Sequence, residues 1–257
     1  MRRPEATARV LSAVACATLL AACATSPRPT HGLGGNPIAL RSINAAQELL
    51  ERGALEQALE QARIARDADP RSVRAHVAEG QVLEAMGRTE AAGESLAKAL
   101  ALGPADGVAL NARGTWLCRQ GATREGLALL GKAIEDPAYR NPVQALSNAG
   151  NCALRADLLP TAELNFRAAL GLAPNDARSL VGMAHAKLKQ GDALGARAFL
   201  QRREALGPLA ASELELAIRI EEGAGDARAA GRYRAQLATA VSEGAAPNSK
   251  TPGESNP

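Results

Sequence analysis

The stretch Val73–Asp106, VRAHVAEGQVLEAMGRTEAAGESLAKALALGPAD, holds in 34 residues the pattern that the middle of this chain repeats. Apolar residues recur at helical spacing on both sides of Gly87, and Pro104 closes the stretch. The glycine returns at Gly53, Gly121, Gly191 and Gly225, with Asp157 once in its place, at spacings of 34, 34, 36, 34 and 34. Small residues at Ala58, Ala92, Gly126, Ala162, Ala196 and Ala230 keep the same register. A third column runs Ala46, Gly80, Gly114, Gly150 and Ala184 before breaking at Ile218. Prolines at Pro70, Pro104, Pro174 and Pro208 close most units, and Pro137 stands one place early.

Each column has a physical reading. The glycine adopts the positive φ that ends a helix. The small residues let two antiparallel helices approach closely. The proline cannot continue the second helix. Apolar positions such as Leu55, Leu59 and Ala62, or Leu127, Leu130 and Ala133, give one face to bury. A single unit cannot bury that face alone, so the units must stack. The pattern resembles the tetratricopeptide (TPR) repeat, with six units starting at Ala39, Val73, Gly107, Val143, Ala177 and Ala211. The implied fold is all-α: a TPR solenoid of six helix–turn–helix repeats over residues 39–242, forming a right-handed superhelix. The aromatics usual near the start of each TPR are replaced by Ser42, His76, Leu110, Leu146, Leu180 and Leu214.

Composition agrees. Of the 257 residues 46% are hydrophobic but only 2% aromatic, too few for the strands of a β-sandwich or barrel. Arg2, Arg3, Arg9 and Glu5 supply two of the net +3 charges, so the rest of the chain carries +1. No basic field remains for nucleic acid, and no aromatic platform for stacking bases.

Residues 1–22 read as a signal peptide: a basic start, then an apolar core too short to span a bilayer. The core ends in Leu20-Ala21-Ala22-Cys23, which resembles the lipobox of bacterial lipoproteins. That resemblance implies acylation of Cys23 by diacylglyceryl and palmitate-type chains after cleavage before it. Ala24 is not the aspartate of an inner-membrane retention signal, so the expected address is the outer membrane, facing the periplasm. Residues 23–38 read as a flexible tether and 243–257 as a disordered tail.

Catalytic signatures are missing from the sequence. No HExxH, CxxC or phosphate loop occurs, and His31, His76 and His185 fall in separate parts of the chain. An enzyme, a metal, a cofactor and a small-molecule substrate are therefore not expected. Cys16 leaves with the signal. Cys118 and Cys152 fall near the ends of the first helices of neighbouring repeats, which leaves a disulfide or two buried thiols open.

Repeat four departs from the plain pattern. It carries a two-residue insertion, Tyr139-Arg140-Asn141-Pro142, and the run Leu146-Ser147-Asn148-Ala149-Gly150-Asn151-Cys152. With lipobox, tether, six units and a late Tyr233, this order resembles the type IV pilus biogenesis/stability lipoproteins, the PilF/PilW-type pilotins. The chain departs from them in lacking the Phe-Pro associated with the family's end. The resemblance implies an outer-membrane adaptor that binds the pilus secretin subunit and assists its assembly and localisation, and so pilus biogenesis and twitching motility. A general periplasmic TPR scaffold for β-barrel assembly or cell-wall enzymes is the alternative.

In TPR stacks the first helix of each unit lines a concave groove. The stripe expected there begins with Leu40, Ile43, Gln47 and Leu50, and continues through Val77, Gln81, Asn111, Thr115, Ser147 and Asn151, with Asn148 beside it. An apolar start leading into polar amides suits an extended or amphipathic partner segment. On this reading Ile43→Asp loses the partner while the melting temperature barely moves.

Overall fold

The structure, a computed structural model, describes residues 36–245, with side-chain surroundings up to 242. The predicted signal peptide, Cys23, His31 and most of the tether and tail lie outside these residues. Twelve helices follow one another, with no strand among the described residues. They pair by unit as α1 (Pro37–Glu51) with α2 (Leu55–Ala68), α3 (Val73–Ala85) with α4 (Thr89–Leu102), and α5 (Gly107–Arg119) with α6 (Thr123–Glu135). The next pairs are α7 (Pro142–Arg155) with α8 (Leu159–Leu172), α9 (Ala177–Lys189) with α10 (Ala193–Glu204), and α11 (Ala211–Gly223) with α12 (Ala227–Ala245). The protein is an all-α helical-repeat solenoid. Helix α1 begins inside the predicted tether, and α12 reaches three residues into the predicted tail.

Local chemistry sets the boundaries. The side chains of Asn36, Ser72, Asp106, Asn141 and Asp176 accept backbone N–H groups at the starts of α1, α3, α5, α7 and α9. The inter-helix glycines hold φ between +73° and +82°, the left-handed region open to glycine. Asp157 takes the same turn at φ +59°, as short polar side chains can.

Within a unit, a small residue on the first helix receives a large one from the second. A Cβ on Gly80 would meet Leu96 at 2.7 Å, and one on Gly150 would meet Phe166 at 2.6 Å. Phe166 is fully buried and also lies against Gly182 of the next repeat. The small columns are therefore sockets for the core. The insertion in repeat four is absorbed by a turn. There Asp136 accepts the Gly107 N–H at 3.0 Å, and Tyr139 packs with Leu110, Ala133 and Ala145. Its hydroxyl donates to Gln144 at 3.0 Å, and burial, with the charge of Asp106, pushes the phenol up to about 12.

Each odd-numbered helix also packs against the next odd-numbered helix, whereas no two even-numbered helices pack together. Helices that touch on one side and stand apart on the other make a curved array. The odd helices form its concave face.

Candidate functional site

The concave face holds a groove of about 480 Å³ at the middle of the array. It lies across α5, α7 and α9. Thr115, Asn148 and Asn151 line it, together with Arg119, Arg155, His185 and Lys189. Cys118 and Cys152 also face it. They are joined as a disulfide across α5 and α7, with Cα atoms 5.3 Å apart. Room for the sulfur comes from Gly126, the only glycine in a column that is otherwise alanine; a Cβ there would collide with Cys118 Sγ. The bond closes a span of 34 residues, so its loss costs about 3–4 kcal/mol in the chain-entropy account. Reductant, or Cys118→Ala with Cys152→Ala, is expected to lower the unfolding free energy by that amount, read as a fall in the denaturation midpoint; an unchanged midpoint would show that packing alone holds the two helices.

The amides divide their work. Asn148 Nδ2 donates to Asn111 Oδ1 at 2.9 Å, tying α7 to α5. Thr115 Oγ1 donates back to the Asn111 carbonyl oxygen at 2.8 Å. Asn151 lines the groove with no such bond to another described side chain. Burial, then the charges of Arg219 and Lys189, hold the His185 imidazole below its usual range, leaving it neutral at pH 7. His76 lies elsewhere in α3, buried, with Nε2 3.0 Å from the Pro70 carbonyl oxygen. Tyr233 donates to Glu204 at 3.0 Å, within the last two repeats.

Part of the predicted stripe is not accessible. Ile43, Val77, Asn111 and Ser147 occupy one repeat position and are 5%, 5%, 6% and 1% exposed. Ile43 packs among Ala46, Ala62, Ala65, Ala75 and Ala78, and Val77 among Leu96, Ala99, Ala109 and Ala112. The reason is geometric. That position points at the first helix of the next unit, so its side chain fills the junction between repeats. Ile43 and Val77 are core residues rather than contact residues, and Asn111 serves as an internal bridge. Leu40 and Gln47 are exposed, Gln81 is half-buried, and half-buried Leu50 packs on the cluster of Leu59, Val82 and Leu83. None of these four lines the central groove.

The expected stripe does not include Leu154 or the basic and imidazole side chains of the lining, Arg119, Arg155, His185 and Lys189. The signal for these four was present. Arg119, Arg155 and Lys189 share one repeat position, and His185 shares that of Gln47, Gln81, Thr115 and Asn151. Among the described residues no group of three or more His, Cys, Asp or Glu gathers as a metal site would, and no helix is long and apolar enough to cross a membrane.

No protein-family model matches the chain, and no curated protein sequence does. Solved structures do. The chain is similar to PilW, described as a widely conserved type IV pilus biogenesis factor, at 25% identity and TM-score 0.71, covering 81% of this chain and 96% of that one. It is similar to PilF of Pseudomonas aeruginosa at 28% identity and TM-score 0.65, over 79% and 91% of the two chains. A tetratricopeptide repeat protein from Parabacteroides merdae shares the fold at 17% identity and TM-score 0.63.

Proposed function

A TPR protein structurally related to the type IV pilus biogenesis proteins PilW and PilF, this chain acts, we propose, as a non-enzymatic adaptor in pilus assembly. The observation that carries the reading is the match to both over about four fifths of the chain, at a quarter or more identity. TPR arrays place a rigid concave surface before a partner segment, and the central groove is such a surface. The partner on this reading is the secretin subunit, whose delivery to the outer membrane and closure into a ring the adaptor assists. The lipobox and the residue after Cys23 support an anchor in the outer membrane, with the repeats on its periplasmic side. Several acyl chains hold such an anchor stably, at about 0.8 kcal/mol per buried CH₂.

The test uses the cell that makes the protein. Removing it is expected to leave secretin subunits unassembled and the surface without pili, and the wild-type chain restores both. Cys23→Ala is expected to lose incorporation of a palmitate analogue and to restore neither. Normal secretin rings in cells without the protein would overturn the adaptor reading. Equal labelling of the Cys23→Ala chain would overturn the anchor.

A further inference from the structure

One position in each of three consecutive repeats carries a cation: Arg119, Arg155 and Lys189, spaced 36 and 34 residues apart. All three line the central groove, whose lining includes no carboxylate. Arg119 pairs with Glu84 at 2.5 Å and Lys189 with Asp157 at 2.7 Å. Both cations are half exposed; the Lys189–Asp157 pair is exposed on both sides and contributes little, whereas Glu84 is largely buried beside Arg119. Arg155, the middle one, has no ion pair among the described residues. One helical turn before them, the same helices present Thr115, Asn151 and His185 to the groove. The groove lining itself therefore offers three cations beside neutral hydrogen-bonding groups, with carboxylates reaching only the outer two, Arg119 and Lys189, from beyond the lining.

We propose that this ladder binds an extended acidic segment of a protein partner, each cation taking one side-chain carboxylate. The spacing suits it. Neighbouring packed helices lie about 8–10 Å apart, and a chain extended as polyproline II advances about 3.1 Å per residue with three residues per turn, so carboxylates three residues apart fall on one side and meet successive rungs. The disulfide between α5 and α7 holds the first two rungs, because Arg119 follows Cys118 directly and Arg155 lies three residues beyond Cys152. A rigid ladder loses less entropy on binding than a mobile one. The cations lie on the concave face, where a strand of chain fits and a flat lipid surface does not. The proposal rests on reading this groove as a protein-binding surface and adds the chemistry of what it takes.

The test is fluorescence anisotropy with the full chain and a labelled peptide of four Glu-Ser-Gly triplets, blocked at both ends. Binding is expected, falling with added salt, and at least about tenfold weaker for the Gln-Ser-Gly counterpart. Arg155→Glu is expected to weaken it about tenfold or more, and Arg155→Lys to keep most of it. The melting curve of Arg155→Glu should match the wild type, since the side chain is exposed and unpaired. Equal binding of the two peptides, or no effect of Arg155→Glu, overturns the proposal. So does binding confined to a neutral peptide with a free C-terminal carboxylate, or to vesicles of phosphatidylglycerol. The assay contains no pilus component, so its failure leaves the secretin experiment standing, and failure of that experiment leaves the peptide result readable.

Discussion

Phe166→Ala is expected to lower the unfolding free energy by about 3–5 kcal/mol, the range for deleting a fully buried aromatic ring. The ring is completely inaccessible and sits between two glycines, Gly150 on its own unit's first helix and Gly182 on the next unit's. Ala153, Ala162, Leu170, Leu180 and Met183 close the rest of the pocket. Neither glycine has a side chain to lean into the space, so the cavity stays open and its lining loses contacts outright. Each repeat touches only its neighbours, so the damage falls between repeats four and five, in mid-array. Urea denaturation followed by circular dichroism measures it, with Phe166→Leu as a milder companion. A loss under about 1 kcal/mol would show that the helices close over the missing ring, and that the glycine sockets are not what holds these repeats together.

Ile43→Asp is expected to lose at least about 3 kcal/mol, combining about 1.5–3 kcal/mol of burial with the cost of an unpaired carboxyl among alanines. The sequence alone suggested the opposite outcome, a lost partner with an unchanged melting temperature. The structure reverses it, because Ile43 joins α1 and α2 to α3. Leu40→Asp is the matched control. Leu40 is 37% exposed on the same helix and takes a charge without burying it. Thermal melts of the two variants should differ by many degrees. Equal melts would return Ile43 to the groove surface.

Much of the molecule is legible in its sequence. Gly87 and its counterparts mark the turns because only glycine, and here Asp157, takes that backbone conformation cheaply. The register of Cys118 and Cys152 placed them at matching points of neighbouring first helices. The extra glycine at Gly126 was visible too, though its meaning was not: it makes room for the sulfur of Cys118. Repeat four's insertion stands out in the sequence as a departure from the pattern. Its work, Tyr139 covering Gly107 while Asp136 accepts the Gly107 N–H, needed three dimensions.

The sequence by itself determined the repeat, the two helices of each unit and the turns between them. Those features rest on residues close together in the chain: a cap, a left-handed turn, a small residue opposite a large one. Which stripe of each first helix stays open was decided only by the tertiary structure. A helix with 3.6 residues per turn offers several adjacent stripes, and periodicity shows that one face is buried without showing where its edges fall. In a solenoid those edges depend on how far each unit rotates against the next. That rotation buries the position of Ile43, Val77, Asn111 and Ser147 in the junction, and leaves the position of Arg119, Arg155 and Lys189 on the groove. The rotation is set by packing between units about 34 residues apart, and no local pattern encodes it.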